Sequence, residues 1–317
     1  MIPDRLRGAV WGQLVGDAAC LGSHWIYDTA EIARRWPELR GFEEPHPRHY
    51  HAGKTPGEPT HYGHAALIQL AQIASSGSFD EVAFGSAFVE TFGSPEYRGY
   101  TDKAMRGTLA NHAAFRAAHP GESFDFQQGA DDFEPATVSR LAPVVAAHRG
   151  DPDLLRVVER ATRVVQNNDR AVAHAQCHAL ILRALLRGAG LRGALDEAVQ
   201  LLPSDGEAYA AVRVGISRAT DCVAQDARSA TAALGQHCRL DQSFPSAVQC
   251  ALRNEHDYSA AILDTARAGG DSAGRAAMIG AWLGATLGVD AIPRSWRERL
   301  RARDEIARHV ERLVARA

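Results

Sequence analysis

Residues 276–289 read AAMIGAWLGATLGV, and this stretch decides the fold. Gly280, Gly284 and Gly288 recur at four-residue steps in an apolar run too short to span a membrane. Four residues make about one helical turn, so the glycines line one face of a helix. Residues 8–16, GAVWGQLVG, repeat the device with Gly8, Gly12 and Gly16. A glycine inside a helix costs about 1 kcal/mol relative to alanine. Close backbone approach is the gain that offsets it, so the spacing predicts two central, buried helices in tight contact.

Outward from these two segments the chain continues to read as helix. RVVERATRVVQ (156–166) and AVAHAQCHALILRALLRGAG (171–190) place apolar residues at three- and four-residue steps. The tail from Ser295, SWRERLRARDEIARHVERLVARA, reads as one amphipathic helix. No alternating Val/Ile/Thr run and no Asn-Gly hairpin stands out, so the fold class is all-α. Residues 41–60, GFEEPHPRHYHAGKTPGEPT, hold four prolines and must form a loop, and residues 122–135 are a second irregular stretch. Helical segments of the same composition resume after each, so neither reads as a linker, and one domain over residues 1–317 is expected.

Composition narrows the function classes. Thirty-five basic against 38 acidic side chains give a net charge of −3, which disfavours a nucleic-acid partner. No long apolar span and no secretory leader is visible, so a cytoplasmic location without membrane insertion is expected. The five cysteines are scattered without a CxxC pair, which indicates neither a disulfide framework nor a zinc ribbon. Fourteen histidines are present, and six lie between His24 and His64.

Several polar groups stand in apolar or small-residue surroundings. Asp17 follows the first glycine series, and Asp271 precedes the second. A carboxylate among small apolar neighbours needs a partner. The two acids meet at one cleft if the glycine helices pack together. Arg275 follows Asp271 by one helical turn and is a candidate ion-pair partner. His61, Tyr62 and His64 open a helix capped by Thr60, where Gly63 permits an unusual backbone angle. Two histidines three residues apart can hold a metal only with a further ligand, so a polar pocket rim is the preferred reading. His46, His49 and His51 are loop residues with no assigned role. Asp102, beside Tyr97 and Tyr100, marks a helix start or a ligand contact, and Asn168 or Asp169 caps a helix or edges a cleft.

The two ends together resemble the ADP-ribosylglycohydrolase family. GAVWGQLVGDAACLG (8–22) and GGDSAGRAAMIGAWLGATLGVDAIPRSW (269–296) are similar to its first and last motifs. THYGHAALIQLAQI (60–73), SRLAPV (139–144), QNNDRA (166–171) and SFPSAV (243–248) fall between them in the family's order. The resemblance implies a single-domain orthogonal helical bundle with a cleft for two magnesium ions, and hydrolysis of ADP-ribosyl bonds. It also implies that most magnesium ligands are gone. The family's paired acids fall on Tyr62 and Gly63, its Glu falls near His24, and its last acid and following Thr fall on Ala273 and Gly274. Only Asp271 is kept. Magnesium requires hard oxygen ligands, so no family-type dimagnesium centre and no metal ligand set is expected.

The reading that follows is a metal-independent hydrolase of an ADP-ribosyl, nucleoside or other glycosidic substrate. Asp271, His61, His24 and Asp17 are its candidate catalytic groups, with Arg275 standing in for metal charge. Trp25, Tyr62, His64, Asp102, Asn168, Asp169, Ser272 and Arg275 are its candidate contacts to a small-molecule or ADP-ribosyl ligand. A catalytically inactive ligand-binding or structural, crystallin-like member is the alternative. A metal relocated onto histidines is the third possibility. The sequence leaves the oligomeric state open.

Overall fold

The computed structural model describes residues 2–316. Among them the architecture is all-helical, with no β-strand and two isolated bridges. The two glycine segments form the helices Ile2–Ala19 and Ser272–Leu287, and these pack antiparallel at the centre of the molecule. A Cβ added at Gly12 would stand 2.0 Å from the Gly280 carbonyl oxygen, and one at Gly8 would stand 2.0 Å from that of Gly284. Real Cβ atoms do not approach that closely, so only glycine allows these helices to meet at this separation. Tyr258 Oη donates to the Gly12 carbonyl at 2.8 Å and locks a third helix, Tyr258–Arg267, against the pair. The antiparallel arrangement brings Asp17 and Asp271 to the same end of the bundle.

Further helices wrap this pair. Asp169–Leu186 is buried along nearly its whole length, as its Ala/Leu pattern predicts. Arg140, in the SRLAPV segment, is fully buried and fastens three elements. It donates to Gln69, to Thr137 Oγ1 and to the Ala161 carbonyl, with its guanidinium 4.6 Å from the Phe84 ring. The C-terminal segment departs from the expected single helix. It forms Arg294–Arg299 and Arg303–Arg316, broken where the Arg301 N–H donates to the Gly57 carbonyl and ties the tail to the proline-rich loop. No helix among the described residues is long and apolar enough to cross a membrane.

Both isolated bridges serve the same end of the bundle. Ile26 pairs with Gly270, so the His24–Trp25 turn lies against the Gly-Gly-Asp turn. Ala130 pairs with Gln166, which holds the 130–135 loop beside the helix opened by Asn168.

Candidate functional site

The chemistry-bearing residues gather where the two glycine helices meet the proline-rich loop. Thr60 caps the His61–Ser76 helix by accepting from the Tyr62 N–H at 3.1 Å. That cap fixes His61 and Tyr62 facing inward, both buried. Asp102 caps the helix Lys103–Ala118 through Oδ1 and turns Oδ2 to His61 Nε2 at 3.3 Å. His24 lies 3.6 Å from Asp271 Oδ1 through its Nδ1, and the Ala273 N–H donates to the same nitrogen at 3.3 Å. His51 comes from the proline-rich loop and stands with its ring 5.8 Å from that of His24 and 5.4 Å from that of His61.

His49 explains why this loop returns to the bundle. Its Nε2 donates to the His24 carbonyl at 2.6 Å, and its Nδ1 accepts from the His51 N–H at 3.0 Å. One buried imidazole therefore ties the backbones of His24 and His51 together. Trp25 roofs the cluster. Its φ of 59° is left-handed, a strained angle for a bulky residue. That angle turns the indole back onto His24, with ring centres 4.1 Å apart and Tyr50 and Tyr100 edge-on to it. The indole N–H donates to Cys238 Sγ at 3.0 Å.

Many polar atoms in this cluster are buried without a hydrogen-bond partner. They include His24 Nε2, both ring nitrogens of His51 and His61, Tyr62 Oη and both oxygens of Asp271. Burying an unpaired polar group costs about 1–3 kcal/mol. Such a concentration in one place makes this cluster the candidate functional site. Burial pushes the Asp271 carboxyl up to about 6, against the pull of Arg275 and His61. Burial, with His51, His61 and His49 nearby, holds His24 well below the ordinary histidine range, so it is neutral at pH 7.

Sequence reasoning missed two members of this site. His51 belongs to the proline-rich loop, whose spacing gives it no role. Glu134 lies in the second irregular stretch, half-buried. Burial first, then Asp132, Asp271 and Asp102, raise its carboxyl to about 7. Gln166 Nε2 donates to Asp132 Oδ1 at 3.0 Å and to the Glu134 carbonyl at 2.7 Å, so the QNND turn positions this acid. The surplus of Asp, Glu and Phe in residues 122–135 was the available signal, and nothing in it distinguished Glu134.

Other expected site residues stand apart from the cluster. Asp17 is buried, and both its oxygens accept from Thr60, from the N–H at 2.8 Å and from the hydroxyl. The Arg275 guanidinium donates to Thr265 Oγ1 at 3.0 Å and to the Thr265 and Gly269 carbonyls. Its nitrogens hold the turn before Asp271 rather than ion-pairing with the carboxylate. Ser272 meets Ser23, hydroxyl to hydroxyl, at 3.3 Å. His64 packs beside Phe92 and Tyr97 and lines a surface groove with Leu67 and Glu305. Asn168 caps its helix and donates to Asp131 at 2.6 Å, while the exposed Asp169 pairs with Arg163 at 2.9 Å.

The magnesium pair implied by the resemblance does not fit this donor set. At Gly63, an added Cβ would stand 2.1 Å from Asp17 Oδ2 and 2.8 Å from Pro59 Cβ. An acidic side chain there would require the Asp17 carboxylate and Pro59 to shift. The inward groups on that helix are an imidazole and a phenol, which are poor magnesium ligands.

Comparison with known proteins agrees with this fold. A family model described as ADP-ribosylglycohydrolase matches residues 2–317. Crystallin J1A of Tripedalia cystophora is 29% identical over 323 residues, covering 98% of this chain and 96% of its own. Crystallin J1B of the same organism is 29% identical over 332 residues, covering 99% and 98%. A solved structure titled ADP-ribosylglycohydrolase-related protein complex superposes with a TM-score of 0.74 at 23% identity, covering 99% of this chain and 98% of that one.

Proposed function

The chain belongs to the ADP-ribosylglycohydrolase family, and on that premise we propose that it hydrolyses an ADP-ribosyl, nucleoside or related glycosidic bond without the family's magnesium pair. The observation that carries this reading is the cluster of buried, unpartnered polar atoms around His24, His61 and Asp271, where burial raises the Asp271 carboxyl to about 6 and, in the neighbouring 130–135 loop, that of Glu134 to about 7. Two acids separated in this way divide the work of glycoside cleavage. Glu134, still protonated near neutrality, donates a proton to the leaving group. Asp271, ionised first, lies near the developing positive charge of the sugar carbon and stabilises it. Water then adds to the sugar carbon and gives its proton to the Glu134 carboxylate, which restores the starting state.

This assignment shifts the proton-carrying role away from the imidazoles. His24 is held neutral by burial and by its neighbours, so Glu134 is the better general acid. His24 and His61 orient Asp271 and Asp102. Trp25, Tyr50 and Tyr100 offer aromatic faces at the mouth, suited to a base or sugar ring. Asp17 and Arg275 act as positioning residues, the first on the His61–Ser76 helix and the second on the turn before Asp271. The whole chain acts as one domain in this reading, in the cytoplasm.

A catalytically inactive member, ligand-binding or structural and crystallin-like, is the alternative, and its structural form is the weaker half. The unpartnered buried atoms around Asp271 speak against it, because a purely structural protein gains nothing from that cost. Release of free ADP-ribose from ADP-ribosylated protein, or of free base and ribose from a nucleoside, tests the reading. Turnover lost in Asp271→Asn and Glu134→Gln supports it, and its absence from the wild-type protein on every such substrate overturns it.

A further inference from the structure

We infer that His24, His51 and His61 form a binding site for one divalent transition-metal ion of the zinc class. One ring nitrogen from each residue lies within 4.8 Å of those of the other two, and all three side chains are buried. His24 Nε2 and both nitrogens of His51 and His61 have no hydrogen-bond partner. Three converging imidazoles whose ring nitrogens have no other partner are a donor set for zinc, cobalt, nickel or copper, and not for magnesium. This inference goes beyond the hydrolase reading and does not depend on it.

The surroundings supply the second layer that metal-bound histidines use. A ligating imidazole normally donates its other N–H to a carboxylate or a carbonyl. Asp102 Oδ2 stands 3.3 Å from His61 Nε2, which leaves Nδ1 of His61 for the metal. Asp271 Oδ1 stands 3.6 Å from His24 Nδ1, which leaves Nε2 of His24. On binding, a proton on Nδ1 turns to Asp271 in place of the long contact from the Ala273 N–H. His49 braces the backbones of His24 and His51, so two ligands from distant segments are held in register. Nitrogens in a tetrahedral zinc site stand roughly 3.3 Å apart, so these close by about 1.5 Å at most. With its backbone held by His49, His51 makes that movement by rotation of its side chain. Three protein ligands leave a fourth position open to water or substrate.

Metal content and Co²⁺ spectroscopy of the full-length protein test the site without reference to turnover. The purified protein is stripped with a transition-metal chelator, titrated with Co²⁺ and then with Zn²⁺. The wild type is expected to bind about one equivalent with a visible four-coordinate Co²⁺ band that Zn²⁺ displaces. His51→Ala is expected to lose the band while keeping the wild-type helical signal and melting temperature, and the exposed His256→Ala to keep it. Asp102→Asn retains the cap to Met105 but removes the charge opposite His61, and is expected to weaken binding by about 10- to 100-fold. Silence of the wild type, or a band unchanged in both His51→Ala and His24→Gln, overturns the site. Failure here with turnover intact removes the metal and leaves the hydrolase reading standing. A bound metal without turnover does the reverse.

Discussion

Gly63 abuts Asp17: an ideal Cβ on the glycine would stand 2.1 Å from the carboxylate Oδ2. The same oxygen accepts from the Thr60 N–H, which starts the helix carrying His61. A small residue at position 63 is therefore the condition for a buried acid at position 17. Replacing Gly63 with an acid is not expected to build a magnesium site, because the new side chain would meet Asp17 and Pro59. Gly63→Asp is expected to fold poorly and to gain no magnesium dependence, checked by circular dichroism and by activity with added magnesium.

The coupling itself can be measured by a double-mutant cycle. Asp17→Ala leaves the buried Thr60 N–H unpaired and is expected to cost about 2–3 kcal/mol. Gly63→Ala alone is expected to cost as much or more. In the Asp17→Ala background part of that cost is returned, because one of the two clashes has gone and Pro59 remains. Additive denaturant melts would show that the two residues do not interact.

The glycine helices give a sharper contrast. Gly12→Ala drives a methyl into the Gly280 carbonyl and is expected to destabilise by about 3 kcal/mol or more. Gly193 also lies within a helix, Leu191–Leu201, but faces open space with an ordinary backbone. Gly193→Ala is expected to stabilise by about 0.5–1 kcal/mol. Thermal melts of both variants separate close packing from helix propensity.

Glu134 sets a pH dependence. A general acid near 7 must stay protonated, so the rate is expected to fall as pH rises through about 7, and Glu134→Gln to remove that limb along with most of the turnover. Stability follows the same shift. A carboxyl raised from its ordinary 4.5 binds more protons folded than unfolded, so it costs stability as pH rises from about 4.5 to 7. Glu134→Gln is therefore expected to melt higher than wild type at pH 8 and to match it at pH 4. Melts shifted equally at both values would contradict the raised carboxyl.

The helical fold was legible because four-residue glycine spacing is local and has one packing consequence. Gly8, Gly12, Gly280 and Gly284 face each other as that spacing requires. The Thr60 cap and the Asn168 cap were legible for the same local reason. A glycine at position 63 suggests conformational freedom, yet it sits in regular helix beside the Asp17 carboxylate. Arg275 is one turn from Asp271, but its Nε and Nη2 donate to Thr265 and Gly269 in the turn before Asp271. His51 and Glu134 reach the site through long-range ties, by way of His49 and Gln166. Sequence spacing carries no trace of such ties.

The most direct test is release of ADP-ribose by the purified protein in magnesium-free buffer, repeated with magnesium restored and with Asp271→Asn. Equal wild-type turnover with and without magnesium, falling at least about 100-fold in Asp271→Asn, is the expected result. Strict dependence on added magnesium, or full activity in Asp271→Asn, would contradict a cleft that works without the magnesium pair.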